Sequence, residues 1–417
     1  MDRIYVHGRI PLRGQLTVQG SKNAALPILA ATLLTEETCV IHNCPKILDA
    51  LYMQKLLKRL GYNQRWEMGG LRVSGCKIKD GNLLFEEVGQ MRCSIFFLGA
   101  LLGAIGRAEL SYPGGCVIGK RPIDIHIDAL KKLNVQIECK DDKVVAWTDG
   151  LIGDEIVLPF PSVGATENLL LAAVKAKGAT RIRGAAREPE IVALGQFLNS
   201  MGAKIKGLGS PYIEIEGVKT LGGTEFTIPS DRIVAGTYLY ACMCTGGTIL
   251  LNHVPVEDMT CIFETIESMG GNLQMEKTQV FLQAPMELKP IEYIKTQVHP
   301  GFPTDLQSPL LATLCMAKGE SMIQEDIFEN RFQVVPELQK MGAEIEIIEP
   351  NLVKIKGGKM LYGNMLEAKE LRGGAALVVA ALGAKGHSGI GGKTYIDRGY
   401  VNICKDLRDL GARIYSV

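Results

Sequence analysis

The sequence predicts an α/β protein of six repeats, each about 70 residues long, grouped as two domains of three repeats. Two recurring segments support this prediction: a helix of small apolar residues that leads into a strand, and a helix end that leads into another strand. The length of 417 residues also supports two domains, because a chain of this length is too long to fold around one ordinary hydrophobic core. Helices and strands in every repeat indicate the α/β class.

The first element of each repeat is the apolar helix. The segments ENLLLAAVKAKGATRIRG, SPLLATLCMAKGESMIQE and AALVVAALGAKGHSGIGG are typical, since a run of Ala, Leu and Val ends at Gly and a strand follows. The end of this helix recurs around positions 36, 106, 178, 246, 319 and 386.

An amphipathic helix and two or three strands complete each repeat. The helix ends in segments such as FLNSMGAKIKG and ELQKMGAEIEI, with marker positions 61, 134, 202, 270, 342 and 411. Five of these positions are Gly and the other is Asn134. Because Gly and Asn tolerate the left-handed conformation, the markers predict helix C-termini.

The sixth repeat is incomplete at Val417, and the N-terminus supplies a matching segment. IYVHGRIPLRGQLTVQGSKN resembles YIEIEGVKTLGGTEFTIPSD position for position. We therefore expect residues 1–21 to finish the last repeat. The predicted domains are residues 22–229 and residues 1–21 plus 230–417.

Composition restricts the functional class. With 46 Lys and Arg against 45 Asp and Glu, the net charge gives no field for nucleic acid or a membrane surface. The longest apolar run, residues 95–105, is too short to span a bilayer, and the N-terminus lacks the apolar core of a signal peptide. We expect a cytoplasmic protein, and a monomer, that binds neither nucleic acid nor membrane.

The eleven cysteines contain no C-x-x-C pair and no zinc-site spacing, and no carboxylate cluster suggests magnesium. We expect no metal and no cofactor. Most of the cysteines lie in apolar segments and are interpreted as small buried residues. Cys116 is different, because PGGCVIGKR places it between glycines and close to Lys120 and Arg121.

Residues that suit an anion precede the apolar helices. They are Lys22, Asn23, Arg92, Ser162, Val163, Gly164, Asp231, Arg232, Thr304, Asp305 and Arg372. Free N–H groups and the helix dipole attract phosphate or carboxylate at such positions. For Ser162, Thr304 and Asp231 simple helix capping is the favoured interpretation. A cation there is unfavourable without a negative partner, so Lys22, Arg92 and Arg372 indicate an anion site.

Charged residues also follow the strand of several repeats. They are Lys120, Arg121, Arg187, Glu188, Glu190, Glu329, Arg331, Asp397 and Arg398. Each pair taken alone is typical of a surface ion pair. Their common place in the repeat predicts that they lie at the same end of each domain as the helix N-termini. If the two domains face each other there, the cleft attracts a substrate with several negative charges. Neither a P-loop nor a G-x-G-x-x-G motif is present.

These motifs, in this order along the whole chain, resemble the UDP-N-acetylglucosamine enolpyruvyltransferase family. The segments concerned are GSKNAALP, PGGCVIGKRPIDIHI, PSVGATEN, AAREPEIV, HPGFPTDLQ, FENRF, ELRGGAAL and IDRGY. The resemblance implies two inside-out α/β barrel domains, with helices inside and sheets facing solvent. It also implies transfer of the enolpyruvyl group of phosphoenolpyruvate to the 3′-hydroxyl of UDP-N-acetylglucosamine, with release of phosphate through a tetrahedral intermediate. This is the first committed step of peptidoglycan synthesis.

The resemblance also implies roles for particular residues. Cys116 corresponds to the general acid that protonates the methylene carbon of phosphoenolpyruvate and forms a covalent adduct, and Asp305 corresponds to the base towards the sugar hydroxyl. The phosphate and carboxylate are assigned to Lys22, Arg92, Arg121 and Arg398, with Asn23 beside them. The UDP-sugar is assigned to Arg121, Pro122, Ile123, Asp124, Ile125, Ser162, Val163, Gly164 and Ile327. Arg331 and Arg372 are assigned to the cleft, as are Glu188 and Asp231.

Three positions depart from the family pattern, and two other functions stay open. Phe160 stands where relatives often have Lys, Glu370 replaces Asp, and Tyr395 replaces His. One alternative function is the same chemistry on shikimate 3-phosphate. The other is a weakly catalytic homologue that binds the nucleotide sugar and regulates the pathway.

Overall fold

Six four-stranded sheets contain the named strands of the computed structural model, which describes residues 2–85, 88, 91–114, 123–140 and 142–417. The strands are β1 (Ile4–His7), β2 (Arg13–Thr17), β3 (Thr38–His42), β4 (Asn63–Glu67), β5 (Gly70–Ser74), β6 (Asn82–Leu83), β7 (Arg107–Ser111), β8 (Gln136–Lys140), β9 (Lys143–Trp147), β10 (Glu155–Val157), β11 (Ala179–Arg183), β12 (Lys204–Lys206), β13 (Tyr212–Glu216), β14 (Glu225–Thr227), β15 (Thr248–Asn252), β16 (Asn272–Met275), β17 (Gln279–Gln283), β18 (Tyr293–Lys295), β19 (Glu320–Gln324), β20 (Glu344–Glu349), β21 (Leu352–Lys356), β22 (Met365–Glu367), β23 (His387–Gly391) and β24 (Arg413–Ser416).

The helices alternate with these strands along the chain. They are α1 (Lys22–Ala31), α2 (Leu48–Arg59), α3 (Phe96–Ile105), α4 (Asp124–Lys131), α5 (Val163–Ala173), α6 (Pro189–Ser200), α7 (Arg232–Thr245), α8 (Thr260–Ser268), α9 (Gln307–Leu314), α10 (Val335–Lys340), α11 (Leu371–Gly383), α12 (Lys393–Ile396) and α13 (Ile403–Asp409). Short 3₁₀ helices cover Thr32–Leu34, Arg92–Ile95, Val256–Asp258, Thr304–Leu306 and Arg331–Val334. Among the described residues, no helix has the length and apolar content needed to cross a membrane.

The chain forms two compact units. The first unit contains residues 20–114 and 123–229, and the second contains residues 2–19 and 230–417. Each unit has its own apolar core.

The apolar helices lie inside each unit, as the family resemblance implies. Residues 165–173 of α5, 233–243 of α7 and 372–382 of α11 are buried without interruption. The strands instead alternate between buried and exposed residues, as in β11. Small residues let the helices approach closely: a Cβ at Gly99 of α3 would lie 2.5 Å from the Asn168 carbonyl oxygen of α5.

The predicted helix ends are confirmed at all six marker positions. Gly61, Asn134, Gly202, Gly270, Gly342 and Gly411 have φ angles between 66° and 105°. Each residue follows an amphipathic helix and directly precedes a strand or a short connection to one. The left-handed conformation explains why only Gly and Asn occupy this position.

The six-repeat α/β prediction is confirmed, with one sheet for each repeat. In each sheet a short edge strand pairs in parallel with a central strand from a different repeat of the same unit. The edge strand that ends one repeat joins the sheet of the next repeat, and the edge strand that ends the third repeat of a unit joins the sheet of the first. In the first unit β6 joins β7, β10 joins β11, and β14 returns to β3. In the second unit β18 joins β19, β22 joins β23, and β2 joins β15. This cyclic exchange closes each unit.

The N-terminal segment therefore serves two sheets rather than one. β1 pairs with β23 and β24 and completes the last repeat, as predicted. β2, the last strand of the sixth repeat, pairs with β15 of the fourth repeat. The reason is the cyclic exchange, because β2 occupies the place that β14 takes in the first unit.

Candidate active site

Four of the predicted site residues, Cys116, Lys120, Arg121 and Pro122, lie outside the described residues. Ile123, Asp124 and Ile125 follow them directly and form the start of α4. Ile123 is buried, whereas Asp124 is exposed.

In the first unit, the first two residues of α1 each contact a carboxylate. The Ser21 hydroxyl caps the helix by accepting a hydrogen bond from the Ala24 N–H at 3.3 Å. The Lys22 Nζ lies 2.8 Å from an Asp49 carboxylate oxygen, and Asp49 is buried. The Asn23 amide donates to Glu190 Oε1 at 3.4 Å. The predicted negative partner of Lys22 is thus a protein carboxylate here, and an additional substrate anion stays a prediction.

Three buried carboxyl groups belong to this part of the first unit. Glu167 lies within α5, and Glu188 and Glu190 stand at the start of α6. Burial raises the pKa of Glu167 well above its ordinary value, and the negative charges of Glu190 and Glu188 raise it further. Burial therefore favours the protonated, neutral form of Glu167. Sequence reasoning missed Glu167, although a carboxyl residue inside an apolar helix was a visible signal.

The two described segments assigned to the UDP-sugar are joined by a buried hydrogen-bond chain. The Asn168 side chain accepts from the Gly99 N–H at 2.7 Å and donates to His126 Nδ1 at 3.0 Å. His126 belongs to α4, and a Cβ at Gly164 would lie 2.9 Å from its ring. This chain fixes the start of α4 relative to the start of α5.

Helix capping is confirmed for two of the three residues for which it was favoured. Ser162 accepts from the Ala165 N–H at 3.3 Å at the start of α5. Asp231 accepts from two N–H groups of α7, at 2.9 and 3.1 Å. The capping interpretation is wrong for Thr304, whose hydroxyl donates to Glu325 at 2.8 Å. Thr304 is the first residue of its 3₁₀ helix, after the N-cap residue Pro303, and its hydroxyl oxygen accepts from Arg331 Nε at 3.3 Å and not from a helix N–H group.

In the second unit, Asp305 joins two of the predicted arginines. Arg331 donates to one carboxylate oxygen at 2.5 Å, and Arg372 donates to the other at 2.7 Å. Both arginine side chains are about fully buried, with 2% and 3% exposure, while Asp305 retains 24%. Burial lowers the pKa of Arg372, but its interactions with Asp305, Tyr400 and Asp231 raise the pKa by more. The pKa of Arg372 therefore lies above the ordinary value of arginine. The Asp305 carboxylate thus accepts from two charged donors and stays partly accessible.

Glu370 completes this ion network. It caps α11 by accepting from the Arg372 and Gly373 N–H groups, and it lies 3.4 Å from the Arg331 guanidinium. The replacement of Asp by Glu noted in the sequence therefore keeps a capping carboxylate. Arg331 contacts a carboxylate on either side, which fixes its orientation.

The other predicted residues are found at element boundaries. Arg92 begins the 3₁₀ helix before α3, and Arg398 follows α12, both half-buried. Ile327 lies in the connection after β19, also half-buried. Phe160 and Tyr395, the two aromatic departures, are exposed to 43% and 40%. The described residues contain no group of three or more His, Cys, Asp or Glu side chains arranged to hold a metal ion.

Comparison with known proteins relates this arrangement to enolpyruvyl transferases. Residues 6–407 match the family model described as EPSP synthase (3-phosphoshikimate 1-carboxyvinyltransferase). The UDP-N-acetylglucosamine 1-carboxyvinyltransferase of Methylacidiphilum infernorum is 44% identical, with coverage of 100% of this chain and 99% of the relative. UDP-N-acetylglucosamine 1-carboxyvinyltransferase 1 of Symbiobacterium thermophilum is 45% identical, with coverage of 100% and 95%.

Two solved structures share the fold over the whole chain. The enolpyruvyl transferase NikO from Streptomyces tendae has a TM-score of 0.90 at 22% identity, and 100% of this chain and 99% of that chain are covered. EPSP synthase from Acinetobacter baumannii has a TM-score of 0.76 at 19% identity, with 100% of both chains covered.

Proposed function

The chain belongs to the enolpyruvyl transferase family, among the UDP-N-acetylglucosamine 1-carboxyvinyltransferases, and from this premise we propose its reaction and the residues that perform it. The reaction is transfer of the enolpyruvyl group of phosphoenolpyruvate to the 3′-hydroxyl of UDP-N-acetylglucosamine in peptidoglycan synthesis. The observation that carries this proposal is full-length similarity, at 44 and 45% identity, to relatives that bear this name. The partly accessible Asp305 carboxylate between two buried arginines supports it.

In the addition step, we assign one proton to each of two residues. Cys116 gives its thiol proton to the methylene carbon of phosphoenolpyruvate, which develops positive character at the neighbouring carbon. The 3′-hydroxyl oxygen bonds to that carbon while Asp305 takes the hydroxyl proton. The product of this step is the tetrahedral intermediate.

Elimination restores both residues. The methylene carbon loses a proton to the Cys116 thiolate, and the bond to phosphate breaks as the protonated Asp305 returns its proton to the leaving group. The enol ether is formed, and no net proton stays on the protein. No metal or cofactor takes part in this scheme.

Substrate binding is assigned to the cations and helix starts of the sequence prediction. Lys22, Arg92, Arg121 and Arg398 are proposed to hold the phosphate and carboxylate of phosphoenolpyruvate. Helix N-termini favour such anions, which supports the assignment for Lys22 at the start of α1. The starts of α4 and α5, joined through His126 and Asn168, are proposed to hold the UDP-sugar.

The test is phosphate release from phosphoenolpyruvate with each of two acceptors, UDP-N-acetylglucosamine and shikimate 3-phosphate, with the product identified by mass. We expect phosphate and an enolpyruvyl UDP-sugar with the first acceptor alone. Turnover of shikimate 3-phosphate would transfer the substrate assignment to the sister reaction. Absence of turnover in folded protein that binds the UDP-sugar would favour the regulatory alternative.

We also propose that the protein acts as a monomer in the cytoplasm, where phosphoenolpyruvate and nucleotide sugars are available. Light scattering of the purified protein, with and without substrates, tests the first statement. Fractionation of cells tests the second.

A further inference from the structure

Glu325 is a buried carboxylate that none of the assigned roles uses. It follows β19 and is 1% exposed. One oxygen accepts hydrogen bonds from the Ile327 and Phe328 N–H groups, at 2.8 and 3.0 Å. The other accepts from the Thr304 hydroxyl at 2.8 Å. The carboxylate thus joins the loop that contains Ile327 to the 3₁₀ helix Thr304–Leu306 that contains Asp305.

The Thr304 hydroxyl extends this connection to the ion network. The Thr304 hydroxyl donates its one hydrogen bond to Glu325. Its oxygen lone pairs therefore accept a hydrogen bond from Arg331 Nε at 3.3 Å. Arg331 in turn donates to Asp305 at 2.5 Å. Glu325 therefore sets the direction of a hydroxyl that orients the guanidinium paired with the proposed base.

We propose that Glu325 is a positioning residue for Asp305 and for the Ile327 backbone. This inference rests on the proposed function, because it gives Asp305 and Ile327 the roles assigned there. Glu325 does not contact the reacting atoms in this proposal. It holds the base at the distance and angle that proton transfer from the sugar hydroxyl requires.

Two substitutions at Glu325 distinguish positioning from general stability. Glu325→Ala removes the acceptor of the Ile327 and Phe328 N–H groups and of Thr304, so Asp305 and Arg331 lose their fixed orientation. We expect kcat to fall about 100-fold, since a displacement near 1 Å costs about that factor. The KM for phosphoenolpyruvate should stay near the wild-type value, and the KM for UDP-N-acetylglucosamine should rise because of Ile327.

Glu325→Gln should restore most of the activity. The amide oxygen can accept from the Ile327 and Phe328 N–H groups, and the amide nitrogen can donate to Thr304. Glu337→Ala is the matched control, because Glu337 is also buried and accepts from the Glu367 N–H at 3.0 Å and from Lys340 at 2.7 Å. It should lower the melting temperature without lowering kcat.

The outcomes separate the two proposals. Wild-type kcat in Glu325→Ala, or an equal loss of kcat in Glu337→Ala, overturns the positioning role while the proposed function stands. If the wild type itself has no turnover, the proposed function fails. Crystal structures of the Glu325 variants then decide the positioning role: Asp305 should leave Arg331 in the Ala variant and return in the Gln variant, and an unmoved Asp305 in the Ala variant overturns it.

Discussion

Lys22 and Arg372 occupy positions that a helix dipole makes unfavourable for a cation. Each stands in the first turn of a buried helix, where the free N–H groups repel positive charge. The structure offsets this repulsion with Asp49 for Lys22 and Asp305 for Arg372. A buried ion pair of this kind contributes little net stability, but removal of one partner costs about 3–5 kcal/mol. The pairs therefore keep these two cations ordered at the helix starts.

Cys116 is predicted to be the most reactive thiol of the chain towards epoxides that mimic phosphoenolpyruvate. Burial raises the pKa of Cys39 to about 11 and that of Cys44, Cys242 and Cys315 to about 12, so these thiols carry almost no thiolate at neutral pH. Peptide mapping by mass spectrometry should find the label on Cys116, and Cys116→Ser should lose most turnover while it folds normally.

The control for this experiment is Cys139, the exposed thiol among the described cysteines. A general alkylating agent should label Cys139, but the epoxide should not, because no substrate site surrounds it. Label on Cys139 or on a buried cysteine in place of Cys116 would contradict the assignment. Full activity of Cys116→Ser would remove the general-acid role.

Glu167→Gln should make the protein more stable at alkaline pH. Because the pKa of Glu167 is raised in the folded state, its contribution to stability is complete below its ordinary pKa of about 4.5 and is lost as pH rises through the folded pKa. The loss is at most about 1.4 kcal/mol per pH unit. Glutamine resembles the neutral acid and has no such loss.

Urea unfolding of the wild type and Glu167→Gln at pH 5 and pH 8 checks this prediction. The free energy of unfolding of the variant minus that of the wild type should increase between the two values. An equal difference at both pH values would mean that Glu167 is ionised in the folded state, and its assignment as a neutral buried acid would be wrong.

Among the secondary structure elements, the helix ends are the most regular feature of the repeats. Gly202 has a φ of +105°, and a Cβ there would meet nothing within 4 Å. Gly202→Ala therefore introduces backbone strain without a steric clash, and we expect a loss of about 1–3 kcal/mol in the free energy of unfolding. Denaturant unfolding followed by circular dichroism measures it.

Gly222→Ala is the matched control for this helix-end prediction. Its φ lies outside the left-handed region, and its nearest atoms would be 3.5 Å away. Alanine should be neutral or slightly stabilising there, because it reduces the entropy of the unfolded chain. Equal losses at the two positions would show that the left-handed conformation is not the reason for glycine at position 202.

The elements were predictable because the same pattern of residues occurs six times along the chain, once in each repeat. Asn134 is instructive, since the one marker that is not Gly has the same positive φ as the others. The site was less predictable. Asp49, Glu167 and Glu325 act through contacts between distant segments, and neither composition nor local spacing identifies such contacts. The sequence indicated Lys22, Arg372 and Asp305, but it indicated neither Asp49 nor the pairing of Arg372 with Asp305.

At the scale of the whole molecule, closure of the second unit depends on the N-terminus. β1 is hydrogen-bonded on both sides, to β23 and β24, and β2 pairs with β15. Ile4, Val6 and Leu12 are buried in this unit. Each such side chain contributes about 1.5–3 kcal/mol, so the three approach the total stability of an ordinary domain, about 5–15 kcal/mol.

Deletion of residues 1–19 should therefore unfold the second unit and abolish turnover. The core of the first unit is formed by residues between 24 and 228, so it keeps all its strands and should survive. Limited trypsin digestion should leave a resistant fragment close to residues 20–229 from the truncated chain, whereas both units of the full chain should resist. Addition of a synthetic peptide of residues 1–19 should restore protection, because it supplies β1 and β2 again. Protection of residues 230–417 in the truncated chain without the peptide would contradict this prediction. It would show that the second unit folds without β1 and β2.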